Sequence, residues 1–236
     1  MQPFLISEPR KQLVDPYPDM DRLRTVSCAV SLRERECITR LWLSEGIPFA
    51  FRDLPISYEV IRGWLAERLY VHPKNVTVIG SARIGYSLAP YPNYGRPFSQ
   101  DSDLDFSIVS KDLFSKLSEE FYKWRNEVEE GRLHPTESQR RYWYASIECL
   151  PNTIRRGFID PNKIPYIAKR YPIAQRIGNT MWLLREKLNI TQDVPKVKKA
   201  SIRVYRDWAA FMAQMKINFE NMLTSLDKFC HKQSKV

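Results

Sequence analysis

The apolar positions change period along the chain, and each period predicts an element. Val76 to Ile79 is a short run rich in β-branched residues, which predicts a buried strand. Leu104, Phe106 and Ile108 alternate with Asp103, Asp105 and Ser107, the period-two pattern of a half-buried strand. Elsewhere the spacing is three to four. Ile61, Leu65 and Leu69, with Val60 and Trp64 beside them, predict a helix from an N-cap at Ser57 to about Tyr70, and Pro73 to Asn75 then turn the chain. Leu113, Leu117, Phe121, Trp124 and Val128 predict a long helix from Ser110 to about Glu130, ended by Gly131. Its Glu119, Glu120, Glu127, Glu129 and Glu130 are read as solvated positions. Further helices are predicted from about Ser31 to Ser44, stopped by Gly46 and Pro48, and from Asn179 to Leu188. Ser201 to Asp207 alternates and reads as a strand after a basic linker, Lys196 to Lys199. It feeds a terminal helix from about Trp208 to Phe229, with Phe211, Met215, Met222, Leu226 and Phe229 as its apolar stripe.

Proline punctuates what remains. Pro3, Pro9, Pro16 and Pro18 predict an extended arm to about residue 27, Asp160-Pro161 a turn, and Pro165 and Pro172 a broken stretch. The fold class expected is α/β (α+β), a small mixed sheet flanked by helices. Three regions follow: an arm and helix in 1–50, a core in 51–130, and a mostly helical 131–236 that completes the core.

Composition narrows the function classes. The 236 residues are 43% hydrophobic and 27% charged, ordinary for a globular chain long enough to bury a core. No apolar run approaches the ~18 residues that span a bilayer, and the N-terminus lacks a signal-peptide pattern, so a cytoplasmic protein without membrane partner is expected. Cys28, Cys37, Cys149 and Cys230 have no CxxC spacing, and His72, His134 and His231 are isolated. That pattern argues against a disulfide framework, a zinc site and a histidine-based metalloenzyme. The net charge of +10 favours a polyanion, whether nucleic acid, nucleoside triphosphate or an acidic protein partner.

The candidate chemistry sits between Val76 and Val109. Residues i and i+2 of a strand face one way, so Asp103 and Asp105 project together. Two such acids repel unless a cation lies between them, and Mg²⁺ or Mn²⁺ suits oxygen ligands. Gly80-Ser81, at the end of the preceding strand, offers N–H groups and a hydroxyl to phosphate oxygens. Three other stretches invite a nucleic-acid reading. The loop from Leu88 to Gln100 interleaves Pro90, Pro92 and Pro97 with Tyr91, Tyr94 and Phe98; it is either a base-stacking cover or a decorated surface loop. Arg140 to Tyr144 and Thr153 to Phe158 mix arginine with aromatics, as a single-strand track would or as core aromatics with surface arginines would.

Gly80-Ser81, Gly85 and Asp103-x-Asp105 together resemble the GS…DxD signature of the DNA-polymerase-β-like nucleotidyltransferases. The wording Gly80-Ser81-Ala82-Arg83-x-Gly85 and the Ser102-Asp103-x-Asp105 tail are most similar to minimal nucleotidyltransferases and bacterial defence-type members. The match covers about thirty of 236 residues, and the 23-residue gap from Gly80 to Asp103 is longer than in compact members. The resemblance implies a polymerase-β-like nucleotidyltransferase core. Asp103 and Asp105 would hold Mg²⁺, and Gly80, Ser81, Arg83, Gly85 and Ser102 would bind nucleotide, with Arg83 or a neighbouring cation on the pyrophosphate. A second metal about 3.5–4 Å away would activate the acceptor hydroxyl, aided by a third carboxylate. Asp207 is favoured for that acid over Glu148 and Asp160. The activity implied is transfer of a nucleoside monophosphate, with ATP as expected donor, to a protein or RNA acceptor in a toxin–antitoxin or phage-defence setting. The alternative is a degenerate subunit that binds nucleotide, nucleic acid or a toxin-like partner protein. A signal-nucleotide synthase and an aminoglycoside-modifying enzyme fit less well, the first by size and the second by charge.

Overall fold

Val76, Val78, Leu104, Phe106 and Ile108 are buried almost completely, and their alternation with more polar neighbours builds the sheet that carries the site. The computed structural model describes residues 4, 6–90, 92–167 and 169–233, with side chains as far as residue 225. Pro3 and Tyr91 lie outside the described residues, as do the side chains of Leu226, Phe229, Cys230 and His231. In chain order come α1 (Glu8–Lys11), α2 (Met20–Cys28), α3 (Leu32–Ser44), α4 (Pro55–Leu69), β1 (Val76–Ile79), α5 (Ser81–Ile84) and β2 (Asp103–Val109). Then follow α6 (Lys111–Glu129), α7 (Glu137–Arg155), β3 (Phe158–Ile159), α8 (Pro172–Ile190), β4 (Lys199–Tyr205) and α9 (Trp208–Gln233). The described residues thus form an α/β protein with nine helices and one mixed four-stranded sheet, ordered β1-β2-β4-β3. β1 runs antiparallel to β2, β4 parallel to β2, and β3 antiparallel to β4. Among the described residues no helix is long and apolar enough to cross a membrane.

Register divides the sheet into two unlike faces. Val78, Phe106 and Ile202 lie side by side on one, with Leu104, Ile108 and Val204. Leu65 and Leu69 of α4, Leu117, Phe121 and Trp124 of α6, and Leu184 and Leu188 of α8 close over it as the main core. Each such side chain contributes roughly 1.5–3 kcal/mol on burial. The opposite face carries Asp105, Ser107, Ser201 and Arg203 in register, and α9 packs there through Ala210, Phe211 and Met215. A third cluster joins the N-terminal helices to α3 and α9 through Leu23, Val26, Ile38, Phe219 and Met222.

Several boundaries differ from the sequence reading, most of them at proline. Pro55 and Pro172 each stand in the first turn of a helix, where a missing N–H and a fixed φ are advantages, so α4 starts ahead of Ser57 and α8 ahead of Asn179. Ser57 is no cap; its hydroxyl donates back to the Leu54 carbonyl at 2.6 Å. The arm folds into α1 and α2, and Trp42 Nε1 and the Tyr86 hydroxyl donate to the carbonyls of Asp15 and Pro18 at 2.9 and 3.1 Å. β4 begins at Lys199 and leaves the sheet after Tyr205, two residues earlier than the alternation predicts.

α6 holds a larger correction. Glu120 and Glu127 are buried rather than solvated. Glu120 accepts from the backbone N–H groups of Ile173 and Ala174 at 2.7 and 2.9 Å, capping α8 across the fold. Glu127 accepts from the Tyr171 hydroxyl at 2.5 Å and from Arg170 at 3.2 Å, and the Tyr171 contact pulls its carboxyl below the usual range. Truncating Glu120 to Ala strands one buried and one partly buried donor, so Glu120→Ala is expected to lower unfolding free energy by about 2–3 kcal/mol in urea titrations. Glu119→Ala, one residue away and exposed, is expected to change it by less than about 0.5 kcal/mol. Equal effects would show that the α6–α8 clasp carries no weight.

Candidate functional site

β1 ends where the pairing brings Ile79 opposite Asp105, and the chain then turns at Gly80. Gly80 has φ 72° and ψ −151°, a region essentially closed to residues with a Cβ. The turn sets the Gly80 backbone against β2, such that a Cβ there would lie 3.7 Å from Asp105 Oδ2. The four-residue α5 follows, and Ser81 faces a cleft of about 470 Å³. Its hydroxyl makes no hydrogen bond among the described residues. Gly80, Ser81, Asp103 and Asp105 all line this cleft, together with Arg96 from the long loop and Asn218 and Asn221 from α9.

The two acids differ in surroundings. Asp103 opens β2 and is exposed; Asp105 is partly buried. Burial, and the Asp103 charge beside it, push the Asp105 carboxyl up, while a hydrogen bond from Ser201 opposes the shift. Ser201 Oγ donates to Asp105 Oδ1 at 2.6 Å, which follows from the parallel pairing of residues 105 and 201. The same pairing sets Lys199 beside Asp103. Lys198, whose N–H donates to the Ser102 carbonyl at 3.0 Å, stands next to it, and among the described residues neither lysine makes a salt bridge. Thus the predicted basic linker ends in the first residue of a strand, Lys199 beside Asp103, while its Lys196 donates to the carbonyls of Leu188, Asn189 and Thr191 at the end of α8.

Other predicted site residues serve as scaffold. Gly85 has φ 97°, and a Cβ there would meet the Phe49 ring at 2.9 Å. Ser102 is buried, and its hydroxyl accepts from the Ser99 N–H at 3.0 Å. Arg83 lines the cleft, yet its guanidinium donates to the Ile47 carbonyl, and burial lowers its pKa. Its Nε makes no hydrogen bond among the described residues. In the aromatic loop, Tyr94 packs on the N-terminal cluster and Phe98 on the main core. The loop contributes Ser87 to Pro90 and Arg96 to the cleft instead.

None of the three candidates for a further acid joins Asp103 and Asp105. Asp207 lies beyond the opposite end of β4, six residues past Ser201, roughly 20 Å along an extended chain. It accepts from the Ala210 N–H at 2.7 Å and from Arg206 at 2.8 Å, capping the start of α9, and these contacts lower its pKa. Asp160 is held by Arg203 in a two-pronged pair at 2.7 and 3.1 Å. Glu148 lies within α7. Beside Asp105 the neighbouring strand offers the hydroxyl of Ser201. Among the described residues no group of three or more His, Cys, Asp or Glu could hold a metal ion. Two carboxylates still suit Mg²⁺, which is commonly held by one or two acids plus substrate phosphates and water.

The mixed basic and aromatic stretches divide by burial. Trp143 is core, packed edge-on against Trp124 at 5.5 Å, while Tyr142 and Tyr144 stay exposed on α7 with Arg140 and Arg141. Sequence reasoning missed Ser201, Lys199, Arg96, Asn218 and Asn221. Only Lys199 gave a signal, through the basic run; the others are ordinary residues brought in by register and packing. No family model, no curated protein and no solved structure matches this chain.

Proposed function

We propose that the cleft binds a nucleoside triphosphate with Mg²⁺ or Mn²⁺ and transfers its nucleoside monophosphate to a hydroxyl of a protein or RNA acceptor. The observation that carries this reading is the Gly80-Ser81 turn lying directly against Asp105, with Asp103 one strand step away, in one cleft. The metal, held by Asp103 and Asp105, would neutralise triphosphate charge. Ser81 would donate to a phosphate oxygen, and Lys199 and Arg96 would supply positive charge. Ser201 holds Asp105 in place through its hydrogen bond. In the reaction the acceptor oxygen bonds to the α-phosphorus, the bond to pyrophosphate breaks, and the acceptor proton leaves to solvent.

A second reading is favoured by Ser201 itself. With a hydroxyl beside Asp105 in place of a third acid, the cleft suits a nucleotide-binding subunit without transfer. Incubating the full chain with Mg²⁺, each α-³²P-labelled nucleoside triphosphate, RNA and cell lysate separates the two. Transfer predicts label on RNA or protein that falls at least about 100-fold in Asp103→Ala/Asp105→Ala, the scale of a lost electrostatic catalyst. Bound nucleotide without pyrophosphate release would favour the subunit, and undiminished label in the double variant would refute the site.

A further inference from the structure

Asp160 is taken up by Arg203, and the next cation along the chain, Lys163, is left without a carboxylate. Among the described residues the Lys163 ammonium makes no salt bridge; it donates instead to Cys149 Sγ at 3.1 Å. The Cys149 thiol itself points back to the Ser146 carbonyl at 3.6 Å. Both backbones are fixed where the two side chains meet. Cys149 lies within α7 and packs against the main core. Lys163 closes a single 3₁₀ turn, Pro161–Lys163, whose Pro161 and following Ile164 are buried. The Tyr142 hydroxyl, two turns earlier on α7, donates to the Asn162 carbonyl at 2.9 Å and ties that turn to the helix. Sulfur and amine are thus held as neighbours, and both residues remain partly exposed. Among the described residues no second thiol competes: Cys149 is in no disulfide, and Cys28 and Cys37 stand on α2 and α3.

A thiol reached by a peroxide becomes a sulfenic acid, which condenses with a nearby thiol or nitrogen. Cysteines beside a lysine are among those that react in this way. At Cys149 the nearest such group is the Lys163 amine, in the place that a resolving cysteine would take. We propose that Cys149 and Lys163 form a modification site at which a hydroperoxide joins them through a sulfenamide (S–N) bond. In the first step the Cys149 sulfur bonds to one peroxide oxygen and the O–O bond breaks. The thiol proton leaves with the other oxygen, as water or an alcohol. In the second step Lys163, as free amine, bonds to the sulfur; the S–O bond breaks and water departs with a proton from the amine. The sulfur loses two electrons, the peroxide gains them, and the chain loses two hydrogens. Excess thiol reverses the link by attack on the sulfur, so the amine shields Cys149 from irreversible oxidation. This chemistry needs nothing from the nucleotide cleft.

The test is treatment of the folded full chain with hydrogen peroxide followed by tryptic mapping, for wild type and Lys163→Arg. In wild type the peptides Tyr142–Arg155 and Gly157–Lys169 should appear joined, about 2 Da lighter than their sum, with cleavage after Lys163 lost. Dithiothreitol should separate them. Lys163→Arg keeps the positive charge and removes the amine, so it should give no joined peptide and more sulfinic acid at Cys149. Wild type unfolded in urea should give no joined peptide either, because the fold sets the contact. Wild-type Cys149 carried on to sulfinic acid with Lys163 free would overturn the site. So would Cys149 left untouched while Cys28 and Cys37 oxidise, Cys149 captured in a disulfide, or a joined peptide that forms equally in urea.

Discussion

Asp105→Asn is expected to make the protein more stable and unable to hold a metal-bound triphosphate. Burial and the neighbouring Asp103 raise the Asp105 pKa in the folded chain. For an acid, a folded value above the unfolded one means that stability is full below the unfolded pKa of about 3.9 and is lost as pH rises through the folded value. At pH 7 in EDTA the charged acid therefore works against folding. Asparagine keeps an oxygen to accept from Ser201 and removes the charge. Relief of one partly screened like-charge contact is on the order of 1 kcal/mol, or about 2–4 °C in midpoint for a chain of this size. The gain should shrink towards zero as the pH falls to about 4. Saturating Mg²⁺ and nucleotide should reverse the order, since ligand at 100 times Kd stabilises the competent protein by about 2.7 kcal/mol and leaves the variant unmoved. Thermal melts at pH 4 and pH 7, with EDTA or with Mg²⁺ and ATP, measure all four corners. A variant less stable than wild type at pH 7 in EDTA would mean that Asp105 is a structural anchor.

That combination, an acid kept where it disfavours folding, was only half legible in the sequence. The strand pair could be read because its signals are local: a β-branched run, then apolar and polar residues in strict alternation from Asp103 to Ile108. The Gly80-Ser81 turn between them could be read for the same reason. What lies beside Asp105 could not, because it is set by the register of a strand almost a hundred residues away. The alternation from Ser201 to Asp207 places Asp207 at the end of a strand, on the face of Arg203 and Tyr205. The chain instead leaves the sheet at Tyr205, and the Asp207 carboxylate satisfies the first turn of α9. Glu120 and Glu127 show a signal that was present and passed over. Glu120 lies three residues after Leu117 and four before Trp124, and Glu127 three after Trp124, so both stand on the apolar stripe of α6. Acids at stripe positions need buried partners, and the turn around Tyr171 to Ala174 supplies them.

Ser201→Asp is expected to have the largest effect on the protein without metal and the opposite effect with it. Ser201 Oγ already touches Asp105 Oδ1, so a carboxylate at 201 must sit against one that burial has raised. Two unit charges about 4 Å apart interact by about 4 kcal/mol at an effective dielectric constant of 20. Proton uptake and small shifts reduce this, and a loss of about 2–4 kcal/mol at pH 7 in EDTA is expected, recovering at lower pH as the acids share a proton. Ser201→Ala loses one hydrogen bond to a charged acceptor and should fall by only about 1–2 kcal/mol. Mn²⁺ would have three acids to bind in the Asp variant, so its midpoint should rise with metal concentration more steeply than that of wild type. Equal stability of Ser201→Asp and Ser201→Ala in EDTA would show that the side chains at 105 and 201 do not meet. Absence of metal rescue would show that the cleft does not gather a cation. The same variant separates the two functional readings. If transfer in the natural protein is limited by a missing acid, Ser201→Asp raises label incorporation; if the chain only binds nucleotide, it raises metal affinity and transfers nothing.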